Sequence, residues 1–269
     1  MFIIDVIPLT YLPLSQPQIL SYFSKEKLVK GAVVEVPLGR RNQLAAVVKS
    51  TDVLQKKASL KKAGFAIKKI NTVLCQEEIV PPLFFSLANF ISHYYYSPLS
   101  LSLKTILPKN LKSLIKYFQK QSISLTSSFS FPEKIESHSQ KISIEKNYNH
   151  IKKSILSTQG QVLILVPTVF HQQYYEEKLK TEKQDLYSYS RSGKVKEINS
   201  LWAKVAVNEA RVLIGSRSAV FLPWNSLQHI FIKEGNHPAY KSWDQRPYYN
   251  AVTLAQRLAL YYNAEITYC

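Results

Sequence analysis

The chain has 269 residues, enough for one large domain or two modest ones, and 46% of them are hydrophobic. Lys and Arg outnumber Asp and Glu by 35 to 18, and this net charge of +17 suits a polyanion such as nucleic acid, with acidic membranes or plain solubility as alternatives. Two cysteines, Cys75 and Cys269, exclude a disulfide framework and a cysteine-rich zinc site, and no run approaches the roughly 18 apolar residues of a membrane span.

The first 75 residues favour short strands separated by Gly and Pro. The predicted strands are Ile3–Leu9, residues 32–37, Leu44–Val48 and Lys68–Leu74. Strands at this spacing predict a small barrel or sandwich. Pro81 and Pro82 then predict the start of a helix over Leu83–Tyr94.

The N-terminal run also bears on location. Met1 to Pro8 carries Asp5 within a very short apolar segment, which argues against a signal peptide. We therefore expect a cytoplasmic protein with no membrane partner.

A serine-rich, polar stretch from about residue 121 to 145 predicts a linker. After it, apolar strands alternate with amphipathic helices, which predicts a parallel α/β sheet. The predicted strands are Gln161–Pro167, Arg211–Ile214 and His229–Ile232, and the predicted helices are His171–Leu179, Ile198–Val207 and Ala251–Tyr262.

The predicted fold class is therefore α+β in two parts. Residues 1–112 form a small β-rich barrel domain with a helix, residues 113–145 form the linker, and residues 146–269 form a parallel α/β domain. The basic excess lies mainly in the first part, because residues 1–120 hold 17 basic and 6 acidic side chains, a net charge of +11.

Several segments resemble primosomal protein N′ (PriA), the replication-restart helicase family, in that family's order. In the first half these are residues 20–24 (LSYFS), 36–41 (VPLGRR), 66–70 (AIKKI) and 93–99 (HYYYSPL). They are similar to the family's aromatic-acidic motif, its VPFGRR turn, its lysine-bearing strand and its DYYxxPxG segment. The resemblance implies that residues 1–112 are the family's domain for binding DNA 3′ ends.

The second half carries the same resemblance. Residues 163–167 (LILVP) resemble the strand after the ATP site of the first helicase lobe, and residues 213–221 (LIGSRSAVF) resemble the family's IGTRSAVF. Tyr240-Lys241 and residues 246–249 (RPYY) stand where the family has SYK…PRY. This implies a helicase-lobe-like domain over residues 146–269.

The nucleotide motifs depart from the family pattern. A helicase of this kind needs a Gly-rich loop ending in Gly-Lys-Thr/Ser to hold phosphates and Mg²⁺. The corresponding residues 144–151 (IEKNYNHI) contain no glycine and form a shortened stretch. Where the family reads Asp-Glu-Glu-His, this chain has Lys233-Glu234-Gly235-Asn236, which sets a positive charge where the metal would bind. We expect no ATP hydrolysis, no catalytic residue, no metal and no cofactor.

The C-terminal boundary adds a further expectation. The chain ends at Cys269, about where the family's GSATPS motif would begin. The second helicase lobe and its paired-cysteine zinc module are therefore expected to be absent, and a gene fragment is one explanation.

The resemblance also implies a pocket for the DNA 3′ end. Carried over, its aromatic-acidic pair falls on Leu20 and Ser21, its turn glycine on Gly39 and its lysine on Lys68. Gly39 would permit close backbone approach, and Lys68 could contact a phosphate. Ser21 could hydrogen-bond a terminal sugar hydroxyl and Leu20 could pack against a base, so we expect weaker end discrimination than in the family.

Three arginines complete the candidate DNA contacts. Arg40 and Arg41 lie at the same turn, where they either follow the phosphates or form a solvated hairpin tip. Arg217 follows Gly215 at a strand end, where it either contacts the DNA backbone or has a structural role.

Two functions are consistent with this pattern. The first is a non-catalytic DNA-binding protein that recognises 3′ ends, forks or single strands in replication restart, recombination or repair. The alternative is a protein-protein adaptor of a primosome-like complex with secondary DNA affinity. Replication-restart or recombination proteins are the expected protein partners.

Overall fold

The computed structural model of the chain describes residues 1–54, 67–123, 142–144, 148–179 and 185–269. The chain forms two compact units, Met1–Thr126 and Ser127–Cys269. Within the described residues, no helix is both long and apolar enough to cross a membrane.

Five antiparallel strands form the sheet of the first unit, in the order β2-β1-β4-β3-β5. Phe23 in β2 donates its N–H to the Lys68 carbonyl (2.9 Å) and accepts a hydrogen bond from Ile70 N–H (3.0 Å). The segment that precedes β5 thus pairs with β2 and closes the sheet into a small barrel, which confirms the predicted β-rich first part. The strands are β1 (Phe2–Pro8), β2 (Leu20–Ser24), β3 (Val33–Leu38), β4 (Arg41–Asp52) and β5 (Thr72–Cys75).

The barrel interior is filled by one face of each strand, as the two-residue alternation of β-structure requires. Its buried residues include Ile4, Val6, Tyr22, Val34 and Val47. Three helices follow the barrel: α1 (Pro82–Tyr94), α2 (Leu99–Ile106) and α3 (Leu111–Gln121). The predicted helix over Leu83–Tyr94 is confirmed as α1, which begins directly after Pro81.

Helix α3 corrects the predicted boundary at residue 112. It lies mostly within the range predicted as linker, residues 113–145, yet it buries Leu111, Leu114, Ile115 and Phe118. This spacing of three and four residues forms one apolar face, so α3 belongs to the first unit. Strand β6 (Ile142–Ile144) also lies in the predicted linker and belongs to the second sheet. Residues 124–141 and residue 145 of the predicted linker lie outside the described residues.

The second unit has six parallel strands in the order β6-β11-β10-β7-β9-β8. All five residues of the central strand β7 are buried, as expected where helices cover both faces of a parallel sheet. The predicted parallel α/β part is thereby confirmed. Besides β6, the strands are β7 (Gln161–Leu165), β8 (Leu186–Tyr189), β9 (Val212–Gly215), β10 (Leu227–Ile232) and β11 (Glu265–Tyr268), and the helices are α4 (Tyr148–Ser157), α5 (Val169–Leu179), α6 (Val195–Ala206) and α7 (Ala251–Tyr262).

Candidate nucleic-acid interface

A two-residue hairpin turn joins β3 to β4 and projects basic side chains from the barrel. Leu38 pairs with Arg41, which leaves Gly39 and Arg40 as the turn residues. Gly39 has a φ of +60°, a left-handed conformation that glycine adopts at the first position of such turns, and no atom lies within 4 Å of where a Cβ would stand. Arg40 and Arg41 are exposed. The turn therefore presents two guanidinium groups and an open stretch of backbone.

Lys68 lies beside this hairpin and beside β2. Its side chain is exposed, and its carbonyl accepts the hydrogen bond from Phe23 described above. Three residues further on, the Asn71 side chain donates a hydrogen bond to Asn42 Oδ1 at 2.7 Å. The segment that carries Lys68 is thus joined to β2 on one side and to the base of the hairpin on the other.

Tyr22 links β2 to the other arm of the hairpin. Its buried side chain donates a hydrogen bond from the hydroxyl to the Pro37 carbonyl at 3.1 Å, two residues before Gly39. Burial raises the pKa of this phenol, so the donor stays protonated well above neutral pH. Together these contacts bring the segments that carry Ser21, Gly39 and Lys68 to one rim of the barrel, which we call the basic rim and define by these residues with Arg40 and Arg41.

Leu20 precedes Ser21 on β2. Its partly buried side chain packs against the barrel core, because alternation along β2 turns Leu20 and Tyr22 inward and Ser21 outward. A contact between Leu20 and a base stays a prediction.

Ser21 is exposed, and its hydroxyl donates a hydrogen bond to Asp5 Oδ1 at 2.6 Å. Asp5 is the residue directly opposite Ser21 in the β1–β2 pairing. Asp5 is not among the residues that the family resemblance places in the site. Its one distinguishing feature in the sequence is that it is a lone acidic residue within the otherwise apolar run of β1.

In the second unit, Arg217 is held by its own chain. Its guanidinium donates to the Lys241 carbonyl (3.0 Å) and to Asp244 Oδ1 (3.2 Å). This geometry supports the structural role that the sequence left open, while a DNA contact by Arg217 stays a prediction.

The loop held by Arg217 exposes two large aromatic rings. Trp243 is 67% exposed and Tyr248 is 55% exposed. Lys241 Nζ lies 5.4 Å from the Trp243 ring centroid, and the Arg246 guanidinium carbon lies 5.9 Å from that of Tyr248. We call these four residues the aromatic loop. Basic and aromatic side chains interleaved in this way are typical of surfaces that stack single-stranded bases. In the sequence, this segment is distinguished by its resemblance to the family's SYK…PRY, which does not predict that the rings are exposed.

The residues that replace the family's metal-binding motif make local contacts at the end of β10. Glu234 Oε1 lies 3.4 Å from His171 Nε2 and 3.9 Å from Lys233 Nζ. His237 Nδ1 accepts a hydrogen bond from Ala239 N–H at 3.1 Å, as a loop residue would. Among the described residues, no group of three or more His, Cys, Asp or Glu side chains is placed to hold a metal ion.

Comparisons with known proteins agree with this division of the chain. Residues 10–108 match the family model of the 3′DNA-binding domain (3′BD) of PriA. Most of the first unit is therefore similar to the 3′DNA-binding domain of PriA.

Similarity to PriA also extends beyond that domain. Replication restart protein PriA from two strains of Helicobacter pylori is 27% identical over 254 and 261 residues, in each case covering 89% of this chain and 38% of the relative. Replication restart protein PriA from Thermotoga maritima is 32% identical over 118 residues, which cover 42% of this chain and 15% of the relative. The chain is a PriA-like protein that spans about 38% of the length of the Helicobacter relatives.

Proposed function

We propose that this protein binds DNA at 3′ ends and forks in replication restart, recombination or repair, and that it does so without hydrolysing ATP. The observation that carries the proposal is the basic rim, which lies within residues matched to a 3′ DNA-binding domain. Its exposed Arg40, Arg41 and Lys68 suit phosphate contacts, and the open backbone at Gly39 allows a strand to approach closely.

The sequence of the second unit supports the absence of ATP hydrolysis. Residues 144–151 (IEKNYNHI), which stand where the family has its phosphate-binding loop, contain no glycine. A phosphate-binding loop of the form GxxxxGK(S/T) needs eight residues, including two glycines and the lysine. Lys233 adds a positive charge at the end of β10, where an acidic residue would hold Mg²⁺.

The DNA-binding proposal is tested by fluorescence anisotropy with two labelled DNAs that contain the same number of phosphates. One carries a recessed 3′ end beside a single-stranded arm, and the other is blunt. We expect clearly tighter binding of the recessed end. Equal affinities for the two duplexes would contradict recognition of 3′ ends and forks.

The proposal of no hydrolysis is tested separately by phosphate release from ATP with and without single-stranded DNA. We expect rates equal to the buffer blank. DNA-stimulated turnover that disappears with EDTA would contradict the proposal. The Lys233→Ala variant, purified in the same way, must then have a different rate, because an unchanged rate would indicate a contaminating ATPase.

An adaptor role is a second candidate, and helix α5 favours it. Val169, Phe170 and Tyr174 are exposed on this helix, and the four-residue spacing of Phe170 and Tyr174 puts both rings on one face. Exposed apolar side chains grouped in this way suit a protein contact. In the duplex experiment, weak binding without any preference would favour the adaptor.

A further inference from the structure

We propose that Asp5, oriented by Ser21, is the residue that recognises the free 3′-hydroxyl of a DNA strand. This inference rests on the proposed function and adds the specificity determinant of the same rim. It concerns a carboxylate on β1 that acts together with a hydroxyl on β2, 16 positions apart in the sequence.

A strand terminus differs from an internal nucleotide by its hydroxyl, which can donate a hydrogen bond. A protein that prefers the terminus therefore needs an acceptor at the rim, and an ionised carboxylate is a stronger acceptor than a neutral oxygen. The basic rim itself contributes only donors in its charged side chains, Arg40, Arg41 and Lys68. The acceptor has to come from a neighbouring residue.

Three other acidic side chains of the first unit have different partners. Glu35 Oε1 forms an ion pair with Lys112 Nζ at 2.9 Å, and Glu26 Oε2 accepts from Gln76 at 3.0 Å. Asp52 Oδ1 accepts from Leu54 N–H at 2.9 Å. Asp5 is instead hydrogen-bonded to Ser21, which is one of the residues that the contacts of Tyr22 and Phe23 bring to the rim.

The hydrogen bond from Ser21 orients the carboxylate of Asp5. A carboxylate offers about four lone-pair sites, so a hydrogen bond from Ser21 is compatible with another from a sugar hydroxyl. Asp5 is half-buried on β1.

The backbone around Asp5 is irregular in a way that suits a binding residue. On the side of β4, Asp5 pairs with Lys49 but Val6 pairs with Val47, so Val48 is an extra residue at this point. Such bulges twist the strand locally and often adjust the direction of side chains beside functional sites. Lys49, opposite Asp5, is exposed and supplies a cation for the adjacent phosphate.

The test uses the full chain and two single-stranded oligonucleotides of one sequence, one ending in a 3′-hydroxyl and the other in a 3′-deoxy sugar. They carry the same charge, so the ratio of their Kd values isolates the hydroxyl. For the wild type we expect about tenfold tighter binding of the 3′-hydroxyl, the size of a hydrogen bond to a charged group. Asp5→Asn is expected to bring the ratio close to one, while affinity for the deoxy oligonucleotide holds or rises because a negative charge is removed.

Glu26→Gln is the matched control, because it removes the same charge from the same domain away from the rim. It is expected to keep the wild-type ratio. The exchanged variant Asp5→Ser/Ser21→Asp keeps one carboxylate and one hydroxyl as cross-strand partners, and it is expected to retain most of the preference. This variant also keeps the test decisive if Asp5→Asn is unstable.

Three results would overturn the inference. The wild-type ratio could be one with both oligonucleotides bound, which would leave the proposed DNA binding standing and reject only the end recognition by Asp5. Asp5→Asn could keep the wild-type ratio. Alternatively, Glu26→Gln and the exchanged variant could lose the preference to the same extent as Asp5→Asn. No binding of either oligonucleotide would instead reject the proposed function together with the inference.

Discussion

The hydroxyl of Tyr240 joins two strand ends of the second unit. Tyr240 is fully buried, and its Oη lies 2.6 Å from the Lys233 carbonyl oxygen and 2.9 Å from that of Leu165. Burial raises the pKa of this phenol, so it remains a donor at any ordinary pH. Tyr240 therefore joins the carboxyl ends of β7 and β10, the edge at which parallel α/β sheets bind their ligands.

Replacing Tyr240 by Phe should lower the free energy of unfolding by about 1–3 kcal/mol, because buried carbonyl oxygens lose a donor. Urea unfolding followed by fluorescence measures the change. The matched control is Tyr248→Phe, whose hydroxyl is on an exposed ring. Equal stability of the two variants would show that the Tyr240 hydroxyl contributes nothing.

The buried phenol of Tyr249 should make the folded state less stable at high pH. Burial raises its pKa to about 12, although the guanidinium groups of Arg191 and Arg217 oppose the shift. An unfolded tyrosine releases its proton near pH 10, so between about pH 10 and 12 the unfolded state binds fewer protons than the folded state and stability falls. Below pH 10 this contribution is fully present. Urea midpoints between pH 8 and 11 should therefore decline less for Tyr249→Phe than for the wild type, and parallel curves would count against it.

At the scale of elements, the hairpin between β3 and β4 is a compact cationic projection. Its turn needs Gly39 in a left-handed conformation, and the two arginines follow directly. Lys68 is brought beside it by the backbone bonds of Phe23 and the side-chain bond of Asn71. Three positive charges from two separate segments thereby lie together on the proposed DNA-binding surface.

Replacing Arg40, Arg41 and Lys68 together by Ala should flatten the dependence of DNA affinity on salt. Each phosphate contact on a single strand contributes about 0.7 to the slope of log K against log salt, so the loss should be roughly 2 units. The measurement is anisotropy at several salt concentrations. A triple replacement of exposed lysines outside the rim (Lys104, Lys109 and Lys116) is the charge-matched control. If both triple variants reduce the slope of log K against log salt equally, the positive side chains of the rim are merely solvated and do not form a specific phosphate site.

Elements with a strong apolar pattern could be predicted from the sequence, and those defined by pairing could not. The continuous apolar run gave β7, and the pattern over Ala251–Tyr262 matches α7 to the residue. Helix α3 was missed because its frequent Lys and Gln residues obscure a clear apolar face. In the site, the turn glycine and the basic residues could be identified from the sequence. Asp5 was not, because its partnership with Ser21 depends on the register of two strands.

At the scale of the whole molecule, the two units carry different kinds of binding surface. The first unit holds 17 basic and 6 acidic residues, a net charge of +11, and the second holds 18 and 12, a net charge of +6. The first presents the basic rim with the Asp5–Ser21 pair, and the second presents the aromatic loop. End recognition and strand stacking should therefore be separable by mutation.

Replacing Trp243 and Tyr248 together by Ala should weaken binding of a long single strand while leaving the preference for a 3′-hydroxyl over a 3′-deoxy end unchanged. Stacking on an aromatic side chain contributes about 1–3 kcal/mol per base, so the expected loss is at least about tenfold in Kd. Asp5→Asn should do the reverse, since it removes the preference for the 3′-hydroxyl while affinity for the 3′-deoxy strand holds or rises.

Anisotropy with the same two oligonucleotides measures both quantities for each variant. Tyr11→Ala serves as the control, because Tyr11 is an exposed tyrosine within residues 6–24, which contain no charged side chain. Its affinity and its preference should both match the wild type. If the aromatic-loop variant lost affinity and end preference together, the two surfaces would act as one site, and the division of labour between the units would be wrong.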